Sequence, residues 1–177
     1  AAHAPGDHPL GRRQAGVSAE LVWCQVDLGF TGALLADAGR GLCLLVIGSE
    51  RGAECLAAWH ARNAPGASLR PASADCPPGL EAARWQLERY GRGLLRDFDL
   101  ELDLRGTAFE CAVWNELRGI PFGELCTYGQ LARSLERPGG ARAVGAAAGR
   151  NPVPIVVPCH RLVASQGLGG FTGGLDQ

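Results

Sequence analysis

The sequence predicts an α+β fold: a small mixed sheet with helices, followed by a helical segment. Three observations predict it. Residues 21–47 hold short apolar-rich runs separated by glycine turns, the mark of half-buried strands and hairpins. Thr107 and Thr127 each stand just before apolar residues at helical spacing, as N-caps do. At 177 residues, 46% hydrophobic and 20% charged, the chain is globular in composition and long enough for one domain or two small ones.

Residues 1–19, rich in Ala, Gly, Pro and His, read as a flexible lead-in. Strands are expected at 21–28 and 32–37, then Gly39-Arg40-Gly41 turns the chain into a third at 42–47. Residues 50–62 predict a helix with Cys55, Leu56 and Trp59 at core spacing. The four prolines of 63–78 predict a loop, and 80–90 a helix with Ala83, Leu87 and Tyr90 along one side. Residues 100–104 alternate Leu with acid and predict a half-buried strand. An N-terminal α/β domain is therefore expected over 20–105.

The pattern then changes. Thr107, with Glu110 three residues later, predicts a capped helix to 118 that turns Phe109, Val113, Trp114 and Leu117 inward. Residues 119–123 break the chain. Thr127 caps a second helix to about 135, Pro138-Gly139-Gly140 is a turn, and 141–149 is a helix of small residues. Helix, tight turn, helix is a helix-turn-helix pattern inside a second domain, 106–177.

The net charge of −1 does not mark a nucleic-acid binder, but its distribution is uneven. Residues 127–161 hold five arginines (Arg133, Arg137, Arg142, Arg150 and Arg161) against Glu136 alone, an excess that can meet a phosphate backbone. The other reading is a solvated helical surface. The seven cysteines are odd in number and form no CxxC pair, which argues for a reducing compartment over a disulfide framework. No apolar run approaches the ~20 residues of a membrane span, and no secretory leader is present. A cytoplasmic protein is expected, or a nuclear one in a eukaryote.

The chemistry concentrates at Asn151-Pro152-Val153-Pro154-Ile155-Val156-Val157-Pro158-Cys159-His160-Arg161. A cysteine is mostly thiol at neutral pH and needs a base to become a good nucleophile. His160 is next in sequence, but neighbours in an extended segment point to opposite sides, so a turn after Pro158 is required. Alone, a Cys-His pair more often holds a buried structural cysteine. Pro152 pushes Asn151 away from helical geometry, and the Asn151 amide can tie the turn together from within.

Together with Tyr128-Gly129-Gln130-Leu131-Ala132 and Arg142-Ala143-Val144-Gly145 upstream, this stretch resembles the O6-alkylguanine-DNA alkyltransferases, including the C-terminal half of Ada-type proteins. The resemblance is strongest over residues 104–175. It implies a ribonuclease H-like N-terminal domain and a winged-helix-like domain for DNA binding and the active site. It implies direct reversal of damage: an alkyl group passes from O6-alkylguanine in duplex DNA to Cys159, which is consumed. O4-alkylthymine is a further possible substrate.

Residue by residue, the resemblance makes His160 the base, through a water, and Asn151 the residue that orients the thiol. Arg142 fills the space a flipped base leaves, and Tyr128 crowds the 3′ phosphate and donates to guanine N3. Thr127, Ala141, Ala143 and Gly145 face the minor groove, with little sequence specificity. The Cys159 and Leu162 carbonyls accept from the guanine amino group. Pro154 and Phe171 are pocket walls, and Thr172 N–H, beside Gly173, donates at O6. The resemblance implies no cofactor and a monomer. A structural zinc through His3, His8 and Cys24 is not expected, because their spacing matches no zinc pattern. Relatives continue into a helix whose glutamate orients the histidine; no carboxylate here matches it, so a C-terminal helix is expected to be missing.

Two other classes remain open at this point. One is a lesion-binding sensor or regulator fragment without transfer. The other is a cysteine hydrolase, which no oxyanion-hole motif supports.

Overall fold

The computed structural model describes residues 20–48 and 50–165. It is an α+β fold. Three strands open it: β1 (Glu20–Asp27), β2 (Gly32–Asp37) and β3 (Leu42–Ile47). After helix α1 (Gly52–Asn63), strand β4 (Ser68–Pro71) returns to β1. The sheet order is β3-β2-β1-β4, antiparallel except for the parallel β1–β4 pair. Val22, Cys24 and Val26 face one side, while Leu21 and Trp23 face the other, the period of two that a strand imposes. On the second side α1 packs Leu56 and Trp59 against Leu34 and Ala36. On the first lies helix α2 (Pro78–Gly91), with Leu80, Ala83 and Leu87 buried. Pro78 sits at its first turn, where a missing N–H costs nothing.

The loop expected at 63–78 therefore contains β4. Its prolines hid it: Pro71, which has no N–H to give, ends an edge strand, and the next residue, Ala72, donates its N–H to the Trp23 carbonyl at 2.7 Å. The strand expected at 100–104 does not form. Leu42 N–H bonds the Glu101 carbonyl at 2.9 Å and Asp103 N–H bonds the Leu42 carbonyl at 3.1 Å, and the pairing stops at one bridge. Farther along the same strand, Leu45 N–H donates to the Pro152 carbonyl at 2.9 Å, so another segment occupies the rest of that edge. Gly41 is where these backbones meet; a Cβ there would lie 2.4 Å from the Glu101 carbonyl oxygen.

Helix α3 (Ala108–Arg118) starts at Thr107 with a full capping box through Glu110. Helix α4 (Tyr128–Ser134) has the same device, Thr127 with Gln130. Helix α5 (Ala141–Ala148) follows. Two-residue strands β5 (Cys126–Thr127) and β6 (Leu162–Val163) pair in parallel and tie the start of α4 to the segment after Cys159. Trp114 of α3 donates its indole N–H to the Ala147 carbonyl at 2.9 Å, anchoring α5. The apolar core is continuous from the sheet through α2 to α3, α4, α5 and residues 153–162. Among the described residues no helix is long and apolar enough to cross a membrane.

Candidate active site

Helix α5 has two unlike faces. Val144, Ala147 and Ala148 are buried, while Arg142, Ala143 and Ala146 are exposed. Tyr128, the first residue of α4, lays its ring against α5 at Gly145, where a Cβ would lie 3.6 Å from the ring. Small residues let the two helices close up while leaving a low outer surface. Ala141 is half-buried at the helix start. The Thr127 hydroxyl accepts from Gln130 N–H at 3.1 Å, so its oxygen already serves the cap.

The chain leaves α5 through Gly149 and Arg150 into a compact loop. Asn151 Nδ2 donates to the Val157 carbonyl at 2.7 Å, and Asn151 Oδ1 accepts from Val153 N–H at 3.0 Å. Val157 N–H bonds the Val153 carbonyl at 2.9 Å. Within this frame lie two three-residue turns. Val156 N–H bonds the Pro154 carbonyl at 2.9 Å around Ile155, whose φ is +72°. Cys159 N–H bonds the Val157 carbonyl at 2.9 Å around Pro158, at φ −82° and ψ 67°. The second is the relaxed inverse γ-turn; the first is the rare, strained form, held by a β-branched residue. Side chains of Ile155, Val156 and Val157 are buried, and Pro154 is half-buried.

The turn required after Pro158 is present: Cys159–Arg161 is one turn of 3₁₀ helix. Cys159 is half-buried and His160 exposed. On such a turn successive side chains diverge by about 120°. Despite its exposed edge, the ring of His160 is crowded enough that desolvation, followed by the nearby Arg161 charge, holds its pKa below the usual 6.5. The imidazole is therefore neutral at pH 7 and able to accept a proton. Leu162 buries its side chain at 2% exposure, so only its backbone can meet a ligand. Phe171, Thr172 and Gly173 lie outside the described residues.

Burial raises the thiols of Cys24, to about 11, and of Cys43, Cys76, Cys111 and Cys126. Those five are poor nucleophiles.

The arginine patch is smaller than the sequence implies. Arg161 turns inward, bonding the Ile120 carbonyl, and Arg150 pairs with Glu110 of the α3 cap. Arg133, Arg137 and Arg142 remain exposed without an ion pair among the described residues. Among the described residues no three His, Cys, Asp or Glu side chains gather as a metal site.

Sequence reasoning missed three features: Ile155's left-handed backbone, the β5–β6 ladder and the inward turn of Arg161. Arg161 follows the cysteine directly, so nothing in its residue type signals burial. A two-residue ladder leaves no periodicity to read.

These elements define a class: helix-turn-helix proteins whose second helix runs into a tied loop presenting one cysteine. Comparisons give the family. Residues 108–177 match the model described as 6-O-methylguanine DNA methyltransferase, DNA binding domain. The methylated-DNA–protein-cysteine methyltransferase of Mycolicibacterium paratuberculosis is 50% identical over 102 residues, 57% of this chain and 62% of that protein. Its namesake in Methanosarcina acetivorans is 50% identical over 97 residues, 54% of this chain and 62% of that protein. The crystal structure of Mycobacterium tuberculosis OGT in complex with DNA superimposes with a TM-score of 0.68 at 37% identity, covering 86% of this chain and 85% of that one. The chain belongs to the methylated-DNA–protein-cysteine methyltransferase family. Its matched region spans 62% of the length of those curated relatives.

Proposed function

We propose that this chain repairs DNA by moving an alkyl group from O6-alkylguanine, with O4-alkylthymine as a further substrate, onto Cys159 in a single turnover. The carrying observation is the loop that joins α5 to the thiol: Asn151 bonds both Val153 and Val157, and Cys159 follows on the adjoining turn. A DNA-facing helix and a reactive sulfur thereby share one rigid frame.

The exposed Arg142–Ala143–Ala146 face of α5 enters the minor groove, where small side chains allow close approach and little base reading. Thr127, Ala141 and Gly145 border that contact. A base inside the duplex is out of reach of the thiol, so the nucleotide flips out; Arg142 fills the gap and Tyr128 crowds the phosphate. Pro154 and the Cys159 and Leu162 carbonyls line the base pocket, to which the family resemblance adds Phe171, Thr172 and Gly173. His160, neutral at pH 7, takes the thiol proton through a water. The thiolate attacks the alkyl carbon in line; the C–S bond forms as the C–O6 bond breaks, and the electron pair leaves with guanine, which is then protonated. No cofactor enters, the thioether ends the protein's activity, and the protein works as a cytoplasmic monomer.

The test is transfer of a labelled methyl group from O6-methylguanine duplex DNA. Cys159→Ala should lose all transfer and keep DNA binding. Transfer retained by Cys159→Ala would place the acceptor elsewhere, and binding without transfer in the parent chain would make it a lesion-binding sensor.

A further inference from the structure

We propose that the cavity beside Pro158 binds a small organic anion carrying phosphate or carboxylate groups. The first observation is Arg161, a cation only 9% exposed. Its guanidinium bonds the Ile120 carbonyl and lies 5.6 Å from the centre of the Phe122 ring. No carboxylate among the described residues pairs with it. A guanidinium has five N–H donors, and a carbonyl and an aromatic face leave most of them unused. A buried charge with no counter-charge is costly to keep.

The second observation is where Arg161 lies. It lines a cavity of about 530 Å³ together with Arg96 and Arg118. Asn115 adds a neutral hydrogen-bonding group, and Asp97 is the one acid on the wall. Three cations against one acid leave an excess of positive charge. Arg96 also approaches the Phe122 ring, at 5.3 Å, so two guanidiniums share one ring. The volume lies in the range of small-molecule sites. Guanidinium groups match the planar or tetrahedral oxygens of carboxylate and phosphate, commonly through paired bonds. An anion there would complete the coordination of Arg161. It would also rest on Pro158 and Ile155, which wall the same cavity, and so stiffen the segment that carries Cys159.

The experiment is calorimetric titration of the full chain with pyrophosphate and with citrate at constant ionic strength. Saturable binding of either near one per chain, weakened at least tenfold in an Arg96→Gln/Arg118→Gln double variant, supports the site. Both arginines are exposed, so folding should survive, and circular dichroism checks that. Tighter pyrophosphate binding would assign a phosphate ligand, and tighter citrate binding a carboxylate. Absence of saturable binding by both probes, or equal binding by the folded double variant, would overturn the proposal.

Discussion

Asn151 and Val157 are joined across the loop that carries the thiol, side-chain Nδ2 to backbone carbonyl at 2.7 Å. The other end of the same amide takes the Val153 N–H at 3.0 Å. One side chain thus closes both sides of a six-residue span between the end of α5 and Pro158. Removing it strands the Val153 N–H, worth about 1–3 kcal/mol when left unsatisfied, and leaves the Val157 carbonyl with the Cys159 N–H alone. Asn151→Ala should therefore lower stability to urea by about 2 kcal/mol or more and slow transfer. Asn151→Asp should not rescue it, because a carboxylate would face the Val157 carbonyl. Parent-like stability and rate in Asn151→Ala would refute the tie.

Ile155 supplies a second test. Left-handed backbone at a β-branched residue costs of order 1–3 kcal/mol and persists only where its surroundings hold it. Glycine accepts that φ freely, whereas alanine does not. Both substitutions lose the buried side chain, so both should be less stable than the parent by about 2–5 kcal/mol. Between the two the usual order should reverse, with Ile155→Gly more stable than Ile155→Ala by about 1 kcal/mol. Denaturant melts of the pair decide it; alanine on top would mean the turn relaxes at no cost.

The pH dependence follows from His160. Burial first, and Arg161 second, lower its folded pKa below 6.5. The neutral ring is the form the fold favours, so its contribution is intact above the unfolded value. It is lost as pH falls below 6.5 through the depressed folded value. Single-turnover transfer should accordingly be flat through neutral pH on this group's account and decline in acid with a midpoint below 6.5. His160→Asn should remove that acid limb. A midpoint above 6.5 would show the imidazolium to be the favoured form.

The fold was largely legible because its signals are local. Two threonine capping boxes, the short apolar runs of β1 and β2, and small-residue α5 each act through neighbours in sequence. The exceptions are non-local. β4 exists because β1 has a free edge, and 100–104 fails as a strand because Pro152 shares the edge of β3. The same division runs through the site. Asn151's turn-closing role and the need for a turn after Pro158 are readable from proline chemistry. Arg161's burial and the shrinkage of the arginine patch depend on Ile120 and Glu110, which are 41 and 40 residues away from their partners. Residues 169–175, which the family resemblance makes the active-site loop, lie outside the described residues.

The central claim is that Cys159 is the alkyl acceptor. The most direct measurement is the intact mass of the protein after incubation with O6-methylguanine duplex DNA, followed by peptide mapping. The account predicts one methyl group per chain, on the peptide bearing Cys159, with no further gain on adding more substrate. An unchanged mass with the lesion bound, or a methyl group on any of the other cysteines, would contradict it.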